Sequence, residues 1–218
     1  MKNTTAGWQP SFGPDDFHTD QDSQTYKGFL NIHSLKLTHA CFRGGEISVQ
    51  RELLRRGDAA AVLLFDPLQD AVVLIEQFRV GALKAPAGPW LLELVAGIIE
   101  PGETPEEVAK RETLEEAGLE VHHLINITRY LPSPGGCDEW LDLLCGYVDG
   151  SKAEGIHGLA GEGEDIKVHL LSAEQAFELV NTGVINNAAA IIALQWLQLR
   201  HDEVLAEGAA LMRRIDEA

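Results

Sequence analysis

At 218 residues with 45% hydrophobic side chains, the chain is long enough for one large domain or two modest ones with a sizeable core. Its net charge of −17 argues against nonspecific nucleic-acid binding, which needs a basic footprint, and against docking on anionic membranes. A phosphate-bearing substrate would reach so acidic a protein only if metal ions screened the repulsion.

Residues 1 to about 24 are polar and broken by Pro10, Gly13 and Pro14, which predicts an arm or a weakly ordered lead-in. No apolar signal region opens the chain, and no run approaches the ~18 residues of a membrane span. The cysteines Cys41, Cys137 and Cys145 are scattered, odd in number and without zinc spacing. Inert thiols in a reducing cytoplasm are therefore expected. From Tyr26 to Phe42 the pattern is strand-like, and Arg43-Gly44-Gly45 reads as a hairpin turn. Ile47, Val49, Arg51 and Leu53 then share one face of another strand. Arg51 there fits either an edge position with its head in water or an arginine aimed at an anion. This block predicts a small antiparallel sheet domain over 1–56, with Arg56-Gly57-Asp58 as the boundary to a second domain over 57–218.

Ala59–Phe65 and Val72–Phe78 flank a turn at 66–70 and predict a hairpin, with Arg79 directly after it. Residues 80–89 form a loop, and Trp90–Ile99 is expected to be one further strand. Thr104, Pro105 and Glu107 make a strong helix start, and Gly118 fits the stop. Between them Glu112, Glu115 and Glu116 stand at i, i+3 and i+4, so their carboxylates project within roughly 100° of one another. Such a row is either a solvated acidic face or a site for a hard divalent cation such as Mg²⁺. Glu120–Leu131 and Glu139–Val148 read as strands around the loop Pro132-Ser133-Pro134-Gly135-Gly136, which suits a plain turn or phosphate contacts. Residues 151–163 form a glycine-rich loop ending near Glu162 and Glu164. Ile166–Leu171 is a strand, Ser172 with Gln175 caps a helix through Thr182, and Asn187 opens the last helix. Alternating strands and helices predict α/β layering on a mixed sheet.

The stretch GIIEPGETPEEVAKRETLEEAGL, residues 97–119, resembles the Nudix box, G-x5-E-x7-R-E-U-x-E-E-x-G-U with U aliphatic. Gly97, Glu103, Arg111, Glu112, Glu115, Glu116, Gly118 and Leu119 fall on it in register, and Thr113 at an aliphatic position is the one departure. Further stretches between about 45 and 200 resemble the bacterial ADP-ribose pyrophosphatase branch of that family: VVLIEQFR, PWLLELVAGIIEPGE, SPGG and NAAAIIALQWLQL. The resemblance implies a Nudix α/β/α sandwich behind an N-terminal antiparallel sheet domain. It implies a homodimer with shared sites that hydrolyses ADP-ribose with Mg²⁺, Mn²⁺ being able to substitute.

Residue by residue, the resemblance implies Glu112, Glu116, Glu164 and the carbonyl of Ala96 as metal ligands. Glu162 falls on the general base. Glu115 is a further acidic residue of the box, and Arg111 orients its carboxylates. Substrate contacts are implied at Arg51, Arg79, Ile98, Ser133, Pro134, Gly135 and Glu139. Phe29 and Leu30 fall where the partner subunit flanks the adenine, and Leu30 leaves one aromatic ring for stacking at that pair. Two alternatives remain open: another nucleoside diphosphate sugar as substrate, and a module that binds ADP-ribose without cleaving it.

Overall fold

The computed structural model describes residues 7–159, 161 and 163–217, so Glu162 lies outside the described residues. The chain forms two compact units, one of residues up to Arg56 joined by Ser133–Glu139, the other of Gly57–Pro132 and Trp140–Ala218.

The first unit is a three-stranded antiparallel meander of β1 (Phe17–Lys27), β2 (Asn31–Ala40) and β3 (Glu46–Arg55). The turn between β2 and β3 is tight because Gly44 and Gly45 both take positive φ, at 86° and 75°. Over residues 17–24 the expectation of a weakly ordered lead-in is overturned, since β1 pairs with β2 from Phe17↔His39 to Lys27↔Asn31. Ten of the eleven β1 residues are exposed, so no buried face imposes an apolar alternation. Backbone hydrogen bonding to β2 makes the strand, and single-strand periodicity carries no trace of it.

The second unit is built on a mixed sheet in the order β10-β11-β5-β4-β9-β8. These strands are β4 (Ala59–Asp66), β5 (Ala71–Phe78), β8 (His123–Tyr130), β9 (Leu141–Tyr147), β10 (Ile156–His157) and β11 (Ile166–Ser172). β4 and β9 run parallel at its centre. All eight residues of β4 are buried, so both of its faces are covered. Ala59, Ala61, Leu63 and Phe65 pack in a core with Ala190, Leu194 and Leu197 on one side. Ala60, Val62 and Leu64 pack with Val108, Ala109 and Ala117 on the other. The result is three layers. The helix α1 (Pro105–Ala117) covers one face, and α2 (Ala173–Asn181), α3 (Ala188–Leu199) and α4 (His201–Asp216) cover the other.

Two expectations change in detail. Trp90–Ile99 is two short strands: β6 (Trp90–Glu93) pairs with β5, and β7 (Val95–Ile98) pairs with β4. The buried Leu94 sits where the chain changes partner. The last helix ends at Leu199, and α4 follows after Arg200 leaves helical geometry, with neither glycine nor proline at the break. No helix among the described residues is long and apolar enough to cross a membrane.

Candidate active site

The acidic helix starts and stops as its sequence dictates. The Thr104 side chain accepts from Glu107 N at 3.3 Å, and the Glu107 carboxylate accepts from Thr104 N at 2.8 Å. Gly118 takes φ 66° and returns its N–H to the carbonyls of Thr113 and Leu114. A side chain there would also meet the His157 ring, 2.6 Å from a Cβ.

Val108, Ala109, Thr113 and Ala117 are buried along α1 and turn it onto the sheet. That orientation carries Glu112 and Glu116 to β7, whose residues Ala96, Gly97 and Ile98 pair with Ala61, Ala60 and Ala59 of β4. Gly97 permits the approach, because a Cβ on it would stand 1.8 Å from Glu112 Oε1. Thr113 donates its hydroxyl to the Ala109 carbonyl, so the polar group at an aliphatic box position is satisfied inside the helix. Thr113→Val removes that donor without orphaning the carbonyl, which still accepts in the helix. Its expected effect on unfolding free energy is small, between zero and about 1 kcal/mol stabilising, read by urea denaturation.

Glu116 is only 3% exposed, and its Oε2 accepts from Ala96 N at 3.1 Å. Burial pushes its carboxyl up to about 8, against the pull of the Ala96 hydrogen bond, and the charges of Glu112 and Glu164 add to the rise. Glu112 is also raised, first by burial, although the Arg111 guanidinium lies 2.7 Å away. Arg111 forks onto Glu103 at 3.0 and 3.2 Å and reaches Glu115 at 3.4 Å. One cation thus serves three carboxylates. Glu103 is held below the usual carboxylate range, chiefly by Arg111.

Glu164 closes its own loop: Oε2 accepts from Leu159 N at 3.0 Å, and its N–H donates to the Leu159 carbonyl at 3.3 Å. Gly158 N donates to the Glu115 carbonyl at 3.3 Å, which ties this loop to the end of α1. Arg79, after β5, pairs with Glu93 at 2.7 Å, and its charge lowers Glu116.

The second unit therefore brings together Ala96, Gly97, Glu112, Glu116 and Glu164, with Arg79 just after β5 and Ile98 on β7. Among the described residues no three Asp, Glu, His or Cys side chains form a ready cage for an ion. The donor set nevertheless fits a hard divalent cation. It consists of carboxylate and carbonyl oxygens, and Glu112 and Glu116 are raised by burial more than Arg111 and Arg79 lower them.

In the first unit Phe29 is 87% exposed and Leu30 36%, at the turn between β1 and β2. Arg51 is exposed on β3 and donates to the Gln50 carbonyl at 2.8 Å. Ser133, Pro134 and Gly135 are exposed, and Glu139 is buried and lies 3.5 Å from Arg56. Sequence reasoning passed over Glu93, which orients Arg79. A lone carboxylate inside the apolar run WLLELV is the signal that could have found it.

Buried Glu116 gives a pH prediction for the metal-chelated protein. Its folded value, about 8, lies above the ~4.3 of an unfolded glutamate, so between these pH values the folded state holds a proton the unfolded state has lost. That contribution to stability is present at acid pH and falls as pH rises across the window. Glu116→Gln removes it. In chelator, melting temperature should fall from pH 5 to pH 8 more steeply in the wild type than in the variant. Parallel slopes would contradict the assignment.

The NUDIX domain model matches residues 55–194. The chain is 48% identical over 200 residues to an ADP-ribose pyrophosphatase of Escherichia coli (strain K12), covering 91% of this chain and 96% of that protein. It is 45% identical over 197 residues to an ADP-ribose pyrophosphatase of Haemophilus influenzae, covering 88% and 91%. A GDP-mannose pyrophosphatase of Shigella flexneri is 32% identical over 175 residues, covering 79% and 90%.

Proposed function

The chain belongs to the Nudix family, and on that premise we propose that it hydrolyses the diphosphate of ADP-ribose to AMP and ribose 5-phosphate with Mg²⁺. The observation that carries the reading is 48% identity to an ADP-ribose pyrophosphatase over nearly the whole length of both proteins. The GDP-mannose pyrophosphatase at 32% identity supports a second reading, in which another nucleoside diphosphate sugar is the substrate. A non-cleaving binding module is disfavoured because Glu103, Glu112, Glu115 and Glu116 are all in place.

Glu112, Glu116, Glu164 and the Ala96 carbonyl would hold the metal, and Mn²⁺ would substitute for Mg²⁺. The bound cation supplies neutralisation of phosphate oxygens and a water of lowered pKa. The rest is the work of the chain. Glu162 accepts the proton of the attacking water, whose oxygen bonds to one phosphorus as the bridging anhydride bond breaks and the other phosphate leaves. Arg51 and Arg79 fork onto phosphate oxygens, and Glu93 keeps Arg79 aimed. Arg111 holds the box carboxylates apart and oriented, through Glu103, Glu112 and Glu115. Ile98, the segment Ser133 to Gly135 and Glu139 contact the nucleotide sugar.

The same reading makes residues 1–56 a dimerisation domain and 57–218 the hydrolase domain of a cytoplasmic homodimer with shared sites. Phe29 and Leu30 of one subunit flank the adenine bound by the other. A three-stranded sheet is too small to bury its own faces, which supports a second copy against it. A panel of nucleoside diphosphate sugars, incubated with Mg²⁺ and resolved by chromatography, tests the substrate. ADP-ribose should have the highest kcat/KM and yield AMP; a higher value for GDP-mannose would move the assignment to the second reading.

A further inference from the structure

We propose that Arg55 is a positioning residue for the substrate segment 133–139 and acts on it through Asp138. The inference rests on reading that segment as substrate-binding.

Arg55 is the last residue of β3, and the segment runs beside it. Leu54 N donates to the Gly136 carbonyl at 2.8 Å, and Leu54 and Cys137 form an isolated parallel bridge. The turn closes on itself through Gly136 N and Cys137 N, which donate to the Ser133 carbonyl at 3.2 and 3.0 Å, and Asp138 N donates to the Leu54 carbonyl at 3.4 Å. A Cβ at Gly135 or Gly136 would touch nothing within 4 Å, so the tip of that turn is open. The guanidinium supplies a clamp. Arg55 Nε donates to Asp138 Oδ2 at 3.2 Å, and Nη1 donates to Asp22 Oδ2 at 2.8 Å.

Asp22 is itself held. His33 Nδ1 lies 2.6 Å from Asp22 Oδ1 and 3.2 Å from Arg55 Nη1. An ionised Asp22 only accepts, so His33 Nδ1 carries the proton and donates to it. Nδ1 then has no lone pair for Arg55, whose Nη1 proton goes to Asp22 as well. Asp22 is accordingly held below the usual carboxylate range, first by the His33 hydrogen bond. Asp22 belongs to β1, His33 to β2 and Arg55 to β3, so all three strands converge on one guanidinium. Their common output is the position of Asp138. Asp138 stands next to Glu139 and three residues from Gly135, both of them contact positions in the proposed site. Arg55 is thus committed to protein carboxylates and works at one remove from the substrate.

The segment contributes to binding substrate and transition state alike, so loosening it should raise KM and spare kcat. Asp138→Ala is the cleaner variant, because Asp138 is 44% exposed and its loss leaves the sheet intact. Asp138→Ala and Arg55→Ala should each raise KM for ADP-ribose about tenfold with kcat within about threefold of wild type. The double variant should be no worse than the worse single, since both cut one tether. Arg55→Lys, with one point charge for two carboxylates, should recover part of the KM. Amide exchange over 133–139 in the ligand-free protein should quicken in Asp138→Ala.

Multiplying KM effects in the double variant, or an unmoved KM in Asp138→Ala, would overturn the proposal. So would an unchanged exchange rate, which is read without any substrate. A wild type inert toward ADP-ribose would instead overturn the function proposed above, and the exchange measurement would still decide the tether.

Discussion

Glu112→Gln should keep the fold and lower ADP-ribose turnover by at least ~100-fold, the scale lost with a key electrostatic element. The amide is nearly isosteric, so it can still lie over Gly97, where no Cβ competes for the space. It can still accept from Arg111, now 2.7 Å away. What it loses is the charge. Glu112 is raised by burial and by its acidic neighbours, so its carboxylate gains most when a cation arrives. Circular dichroism and melting should report a native variant, and the Mg²⁺ concentration for half-maximal rate should rise. Near-wild-type turnover with an unmoved Mg²⁺ curve would remove Glu112 from the ligand set.

Glu162→Gln should lower kcat by a factor on the order of 10² to 10⁴ and leave the Mg²⁺ curve in place, as expected for a lost general base. Glu164→Gln should move that curve to higher Mg²⁺. The two assignments rest on different grounds. Glu164 is held by Leu159 at both its N–H and its carboxylate, and its charge raises both Glu112 and Glu116. A side chain so fixed suits a ligand. Glu162 sits between Gly161 and Gly163, and glycine neighbours suit a residue that swings in with substrate. Single Gln variants titrated with Mg²⁺ at saturating ADP-ribose separate the roles. The reverse pattern would exchange them. Losses under about threefold in both would send the search for a base to Glu115 or Glu139.

The parts of this molecule legible in its sequence are those written in short-range chemistry. Thr104, Glu107 and Gly118 bound α1 because capping is a matter of neighbours in the chain. The i, i+3, i+4 row places Glu112, Glu115 and Glu116 on one side for the same reason. β4 and β5 carry the apolar runs 59–65 and 71–75 on either side of a turn at 66–70, so they read as a hairpin without tertiary information. What escaped depends on pairing across the chain. β1 is polar along both faces and exists through its ladder to β2. β6 and β7 read as one strand because both are apolar, and only their different partners divide them. Glu93 shows only as a lone carboxylate in an apolar run, and Asp138 has no local signal of its own. Each matters through an arginine brought to it from a distant stretch of chain.

The α1 carboxylates are expected to serve a divalent cation without which ADP-ribose is not cleaved. Protein stripped with EDTA and dialysed should be folded and inert toward ADP-ribose. Mg²⁺ added back should restore turnover, with AMP and ribose 5-phosphate formed in equal amounts. Undiminished release of AMP in excess EDTA would rule out the metal requirement.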